Sequence, residues 1–213
     1  MRVFFVGNGK MIKEISEHPN ITCVGVFDKN LYVLLEKPEI IIDFSHPNFL
    51  NESIKKALEF KAPLLIGTTG YNDKQIAYLK DISKYIPILY SPNFSTGIIM
   101  IKNFLENNKA SLSLYDSKII ETHHTNKVDK PSGTAIYLAN SFDFCPITSH
   151  RVKDINGIHE IILKTDNEMI TIRHEALSKK VFSLGVYDAA QKLIKKDSGF
   201  YSYEELIYEN NHC

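Results

Sequence analysis

Five short apolar runs within residues 1–95 each stop at small or polar residues, and this punctuation constrains the fold more than any other feature. Val3-Phe4-Phe5-Val6 ends at Gly7-Asn8-Gly9, and Ile21–Phe27 ends at Asp28. Ile40-Ile41-Ile42 runs into Asp43-Phe44-Ser45, Leu64-Leu65-Ile66 into Gly67-Thr68-Thr69-Gly70, and Ile88-Leu89-Tyr90 into Ser91-Pro92-Asn93-Phe94. Helical patterns lie between them. Met11, Ile12 and Ile15 recur before the break at His18-Pro19-Asn20; Phe49, Ile54, Ala57 and Leu58 share one stripe of 47–60; another stretch covers 72–84. Short buried strands alternating with helices connect by right-handed crossovers into a parallel sheet covered on both faces. Ligands of such sheets bind beyond the strands' carboxyl ends. The fold class expected is α/β, with a Rossmann-like doubly wound parallel sheet forming a nucleotide-binding half.

Beyond residue 95 the pattern changes to α+β. Ile98–Phe104 reads as helix, Lys118–Thr122 as strand, and Thr134–Ala139 as helix after a polar loop. Ile158–Leu163 and Met169–Arg173 flank the turn-like Thr165-Asp166-Asn167-Glu168 and pair as a hairpin. A helical stripe of Val186, Ala189, Ala190, Leu193 and Ile194 then returns the chain to the first domain. The expected division is a dinucleotide-binding domain at 1–95 and 175–213, with a smaller substrate-binding and oligomerisation domain at 96–174. The smaller domain has little apolar material, so its sheet is expected to gain cover from another subunit.

Charge narrows the partners. Twenty-five basic and twenty-five acidic side chains cancel, leaving no global field to draw nucleic acid or anionic lipid. The first apolar run is four residues, far below a signal-peptide core, and no run approaches the roughly 18–20 apolar residues of a membrane span. Cys23, Cys145 and Cys213 are odd in number and widely spaced, which argues against a disulfide scaffold or structural zinc and fits a reducing, cytoplasmic setting.

Gly7-x-Gly9 stands where a strand meets a helix, so its backbone can turn tightly and approach a pyrophosphate at the helix start. Asp28 follows Gly9 by 19 residues, the spacing at which an acid meets the adenosine ribose hydroxyls. The third glycine of that fingerprint is missing, and an ordinary tight turn is the plain alternative. Asp28 favours NADH by repelling a 2′-phosphate, while the adjacent Lys29 keeps NADPH open. Gly67-Thr68-Thr69-Gly70 suits backbone and hydroxyl contacts near a nicotinamide, or a solvated turn.

The chemistry concentrates in Glu121-Thr122-His123-His124-Thr125-Asn126-Lys127-Val128-Asp129-Lys130-Pro131-Ser132-Gly133-Thr134-Ala135. Three potential cations fall within five positions, and a Pro-Ser-Gly-Thr turn opens a helix whose first amides form an anion site. Imidazole exchanges its proton near neutral pH, and an ammonium is a compact donor. Together these suit a carboxylate bound beside a proton donor. A metal is disfavoured, because adjacent strand residues point to opposite faces and no HExxH or extra Cys/His cluster is present. His124 also reads as a satisfied structural histidine, Lys130 as a solvated charge, and Asp129 as a cap or Asx-turn residue.

This segment resembles the signature of the dihydrodipicolinate reductases, E-x-H-H-x-x-K-x-D-x-P-S-G-T-A, at every fixed position. Gly7-Asn8-Gly9-Lys10-Met11, Asp43-Phe44-Ser45, Gly67–Gly70, Ser91–Ser95, Gly157–Glu160 and His174-Glu175-Ala176 with Phe182 and Gly185 resemble further family motifs in order. The resemblance implies NADH- or NADPH-dependent reduction of a cyclic unsaturated dicarboxylate to tetrahydrodipicolinate, on the lysine and diaminopimelate route, by a homotetramer. It places His123 and Lys127 at catalytic positions, Lys127 as proton donor, and His124, Gly133 and Thr134 at the substrate carboxylate. It assigns the cofactor to Gly7, Gly9, Lys10, Met11, Asp28, Phe44, Gly67, Thr68, Thr69, Ser91, Asn93 and Phe94, with no metal. Ile12 and Lys179 depart from the family's usual small residue and arginine, and the stretch 136–156 is short. A non-catalytic NAD(P)-binding sensor of the same fold is the alternative, and a related dehydrogenase of another keto or imino acid is a third reading.

Overall fold

The computed structural model describes residues 1–209. In chain order the elements are β1 (Arg2–Val6), α1 (Lys10–Ser16), β2 (Thr22–Asp28), β3 (Leu31–Leu34), β4 (Ile40–Asp43), α2 (Leu50–Phe60), β5 (Leu64–Ile66), α3 (Asp73–Ile82) and β6 (Pro87–Tyr90). There follow α4 (Thr96–Asn107), α5 (Lys109–Leu112), β7 (Asp116–His123), α6 (Gly133–Ala139), β8 (Ile147–Arg151), β9 (Ile158–Lys164), β10 (Met169–Glu175), α7 (Lys180–Leu193), β11 (Gly199–Tyr201) and α8 (Tyr203–Tyr208). A 3₁₀ turn, Pro47–Phe49, leads into α2. The chain divides into two compact units: Met1–Phe94 with the segment from Phe182 onward, and Ser95–Val181.

The first unit holds a seven-stranded sheet of order β11-β6-β5-β4-β1-β2-β3, parallel except for β3. Val3 to Val6 are all fully buried. Successive strand side chains face opposite ways, so both faces of the sheet are covered. Phe4, Val6, Ile41, Leu64, Ile66 and Ile88 pack with Leu50, Ile54 and Ala57 of α2 and Leu79 and Ile82 of α3. Burying each such aliphatic side chain contributes about 1.5–3 kcal/mol. Helix starts are locally encoded: Asn72 with Gln75, and Ser202 with Glu205, form capping boxes at α3 and α8. No strand pattern marks the stretch between Asp28 and Ile40 in the sequence, but a tight hairpin carries β3 back along β2.

The second unit holds a four-stranded sheet of order β10-β9-β7-β8. The hairpin of β9 and β10 is antiparallel as expected, with Ile172 opposite Ile161 and His174 opposite His159. β8 was not foreseen; it lies parallel to β7, His123 opposite Arg151. Ile98 and Leu105 of α4, Leu112 of α5 and Ala135 and Leu138 of α6 pack on Ile119, Ile161 and Leu163. The alternate face, with Ile120, Ile158, Glu160 and Ile162, stays half-exposed. This unit runs to Val181, beyond the boundary expected at 174, because β10 continues to Glu175 and the Ala176 N–H then donates to the Gly157 carbonyl at 2.9 Å.

Candidate active site

In the first unit, β1 has β2 on one side and β4 on the other, so the winding direction reverses there. A crevice forms outside the strand ends at such a reversal. The loops after β1, β4 and β5 line a cleft of about 790 Å³ there, through Gly9, Lys10, Met11, Phe44 to Asn48, Gly67 to Gly70, Asn72 and Gln75. Gly7 has φ of +103°, and a Cβ on it would lie 2.7 Å from the Phe44 carbonyl oxygen. Only glycine fits that turn. A Cβ on Gly9 would meet nothing within 4 Å, and no side chain caps α1. The first amides of α1 are therefore left to the cleft, which fits a pyrophosphate.

The Asp43 carboxylate, fully buried, ties the loops after β4 and β5 to each other and to α2. It accepts from the Ser45 N–H at 2.9 Å, Ser45 Oγ at 2.6 Å, Ser53 Oγ at 2.5 Å and Thr68 Oγ1 at 2.7 Å. Of the cofactor residues expected from sequence, Gly9, Lys10, Met11, Phe44, Gly67, Thr68 and Thr69 line the cleft. Thr68 spends its hydroxyl proton on Asp43. Gly67 is crowded by the Phe44 ring, which a Cβ would approach to 2.1 Å. Asp28 ends β2 outside this lining, its Oδ1 accepting from the Lys29 N–H at 2.8 Å. Ser91, Asn93 and Phe94 are buried and do not line it. Ser91 Oγ donates to the Asn93 carbonyl at 2.6 Å, and the Phe94 ring packs on Phe44 and Tyr203. Ile12 faces the interior, 4% exposed, rather than the cleft.

In the second unit, strand register sets Glu121, His159 and His174 in one row, Glu121 opposite His159 and His159 opposite His174. His123, two residues after Glu121, shares that face. Glu121 Oε1 accepts from Arg151 Nη1 at 2.9 Å, and its Oε2 meets His123 Nδ1. Burial pushes the Glu121 carboxyl upward, but hydrogen bonds from Ser149, Arg151 and His123 outweigh it and hold it below its ordinary range. Burial lowers His123 despite the attraction of Glu121. A neutral imidazole beside an ionised carboxylate carries its proton on Nδ1, leaving Nε2 as acceptor. A Cβ on Gly157 would sit 2.9 Å from that Nε2, so glycine there leaves the nitrogen uncovered.

Ser132, the N-cap of α6, accepts from the Ala135 N–H at 3.2 Å and lies 3.2 Å from His159 Nε2. His159 stands edge-on to His123, centroids 5.1 Å apart, and burial pushes it down to about 3. Its Nδ1 has no protein partner among the described residues. Glu121, His123 and His159 have the composition of a metal site. Both Glu121 oxygens are engaged, however, one by a guanidinium, and a fixed cation at that distance opposes a second.

The turn after β7 presents Lys127, whose ammonium pairs with Asp129 Oδ1 at 2.8 Å, while Asp129 Oδ2 accepts from the Gly133 N–H at 3.3 Å. Burial raises the Asp129 carboxyl, but Lys127 and backbone amides, Gly133's included, bring it net below its ordinary value. Ser132 rather than Asp129 is thus the cap of α6, and Asp129 is an internal carboxylate bridging the Lys127 ammonium and the Gly133 amide. A Cβ on Gly133 would meet nothing within 4 Å. His124 and Thr134 are half-buried on either side of this turn in sequence.

The dihydrodipicolinate reductase family models match the chain over residues 5–94 for the N-terminus and 97–207 for the C-terminus. A 4-hydroxy-tetrahydrodipicolinate reductase of Thermosipho africanus is 37% identical over 202 residues, covering 94% of this chain and 93% of that protein. This chain belongs to the dihydrodipicolinate reductase family. A second member, from Exiguobacterium sibiricum, is 34% identical over 100% of this chain and 99% of its own. The dipicolinate-bound dihydrodipicolinate reductase from Paenisporosarcina sp. TG-14 shares the fold, with a TM-score of 0.77 at 22% identity over 95% of this chain and 97% of that one. Aspartate dehydrogenase of Thermotoga maritima shares it more distantly, with a TM-score of 0.54 at 11% identity over 92% of this chain and 98% of that one.

The C-terminal family model spans both the second unit and the returning α7, so the sequence family divides where the chain first leaves the first unit, not where it comes back. Several residues around the sites carried no signal within the family motifs. Arg151 lies in Ile147–Arg151, which lacks strand-like alternation. His46, Asn48, Asn72 and Gln75 line the cleft from ordinary loop and cap sequences. Asp43 was legible only as a strand end, because hydroxyl partners from two loops and a helix cannot be read from spacing.

Proposed function

We propose that this chain transfers hydride from NADH or NADPH to a cyclic unsaturated dicarboxylate, giving tetrahydrodipicolinate in lysine and diaminopimelate biosynthesis. The observation that carries the reading is the Asp129 carboxylate held between the Lys127 ammonium and the Gly133 amide. Those donors accept a carboxylate of the protein, and a substrate carboxylate has the same chemistry. Gly7, Gly9, Lys10, Met11, Phe44 and Gly67 to Thr69 would hold the nucleotide, with Asp28 toward its ribose. The nicotinamide, when bound and reduced, supplies the hydride.

Lys127 is the proton donor to the atom on which negative charge develops, and His123, held neutral by burial, offers Nε2 toward the ring. His124, Gly133 and Thr134 bind a carboxylate, each charge-assisted bond contributing about 1.5–3 kcal/mol. A sensor without turnover would have no need of a buried carboxylate aligning an imidazole. Among the described residues no helix is long and apolar enough to cross a membrane, consistent with a cytoplasmic enzyme. The half-exposed sheet face of the second unit supports a homotetramer, to be checked by sedimentation.

The test is loss of NADH and NADPH absorbance when the freshly generated dehydration-sensitive substrate is supplied. Substrate-dependent oxidation is expected with at least one nucleotide. Folded protein that binds NADH tightly and shows no oxidation would establish the sensor instead.

A further inference from the structure

One guanidinium touches the carboxylate that meets His123 and the backbone of the turn that presents Lys127, the two residues that handle protons in the proposed reaction. Arg151 ends β8 directly opposite His123 of β7, and the next residue, Val152, donates its N–H to the His123 carbonyl at 2.8 Å. From there Nη1 donates to Glu121 Oε1 at 2.9 Å and to the His150 carbonyl at 2.7 Å. Nη2 donates to the Asp129 carbonyl at 2.5 Å, and Nε to the Lys127 carbonyl at 3.4 Å. A planar fork with five donors can serve a carboxylate and three separate carbonyls at once; an ammonium on a flexible stem cannot hold that geometry. Glu121 is fully buried, so without Arg151 it would be a buried charge lacking its cationic partner. Its second oxygen faces His123 Nδ1.

We propose that Glu121 and Arg151 are positioning residues: Glu121 fixes the tautomer and orientation of His123, while Arg151 holds that carboxylate and braces the Lys127–Asp129 turn. This rests on the functional reading above. Neither residue need touch the substrate. An ionised acceptor at Nδ1 keeps the proton there and turns Nε2 outward past Gly157, the arrangement by which an orienting carboxylate serves a catalytic imidazole in general. Around His123 the charged and titratable groups are Glu121 on its own strand, Arg151 on β8, His159 on β9 and Lys127 on the following turn. Glu121 is the one anion among them, so its removal changes the protonation of His123 in a known direction.

The experiment compares the wild-type full chain with Glu121→Gln and Arg151→Lys, using two readouts. Nitrogen-15 NMR of the imidazoles, without substrate, is expected to show His123 protonated at Nδ1 in the wild type and shifted away from that tautomer in Glu121→Gln. Steady-state kinetics are expected to show kcat reduced on the order of 100-fold in Glu121→Gln, the scale of misplacing a reacting group by about 1 Å, with nucleotide Kd unchanged. The acidic limb of its pH profile should move to lower pH, since the imidazolium has lost its anion. Arg151→Lys should also lose kcat although it keeps the charge.

A wild-type His123 protonated at Nε2 would overturn the proposal. So would a Glu121→Gln enzyme with unchanged kcat and pH limb, or activity lost only in proportion to folded protein with the tautomer preserved. If the wild type shows no turnover at all, the functional reading fails by itself, and the tautomer measurement still decides whether Glu121 positions His123.

Discussion

A single methyl group at residue 67 would lie 2.1 Å from the Phe44 ring, at the wall of the nucleotide cleft. Gly67→Ala must therefore push the ring aside, costing about 1–3 kcal/mol of overpacking, and both the melting temperature and NADH affinity are expected to fall; calorimetry and nucleotide titration measure the two. Lys127 stands at the opposite kind of position, half-exposed and paired with Asp129. Lys127→Ala is expected to lower kcat by about 10²–10⁴-fold, the range for a general acid, with nucleotide Kd within about twofold. Equal losses in both would make Lys127 a nucleotide ligand instead. Both positions are marked in the sequence by a local motif: glycines at a strand end, a lysine before a Pro-Ser-Gly-Thr turn. Ser91, Asn93 and Phe94 carry the same kind of strand-end pattern, but Ser91 closes on the Asn93 carbonyl and Phe94 packs between Tyr203 and the cleft-lining Phe44 without lining the cleft itself. What a strand-end side chain faces depends on residues far along the chain, here more than a hundred positions away.

Among the elements, the three loops beyond β1, β4 and β5 do not hold their shape individually. Asp43 anchors the second of them to the third through Thr68 and to α2 through Ser53. Asp43→Ala leaves the buried Ser53 and Thr68 hydroxyls without this acceptor, and at about 1–3 kcal/mol for each buried unsatisfied group it is expected to lower unfolding free energy by several kcal/mol; urea unfolding followed by circular dichroism checks it. Three strands, β3, β8 and the three-residue β11, carry no strand signal in the sequence, the first two for different reasons. Leu31–Leu34 is apolar without alternation and every residue of it is exposed, so neither periodicity nor burial marked it. Ile147–Arg151 carries Thr, Ser, His and Arg after a single aliphatic residue, yet β7 recruits it because its edge is otherwise open. The hairpin of β9 and β10, whose apolar runs flank a polar turn, was plain.

For the molecule as a whole, the histidine row makes stability depend on pH. His159 stays neutral in the folded state down to about 3, whereas in the unfolded chain it takes up a proton below its ordinary 6.5. The unfolded state therefore binds more protons across that window, and unfolding free energy falls as pH is lowered through it, by up to about 1.4 kcal/mol per unit. Burial lowers His123 and His174 as well, with the same sign. Urea unfolding at pH 7 and pH 5 is expected to differ by about 2 kcal/mol from His159 alone, and His159→Gln should shrink the gap. The doubly wound architecture itself was readable from five punctuated strands, because a parallel sheet repeats one local rule.

The insertion of Ser95–Val181 into the first unit has a bearing on biosynthesis. β6 gains its outer neighbour only from Gly199–Tyr201. On the ribosome the leading strands must wait, with that flank of the sheet bare, until the whole intervening unit has been translated. Bringing such distant partners together carries a loop-closure cost, one that an insert already folded before Phe182 emerges would reduce by drawing its own two ends into register. An insert folding in this way would complete the inner unit before the outer one, the reverse of the order in which their first residues appear.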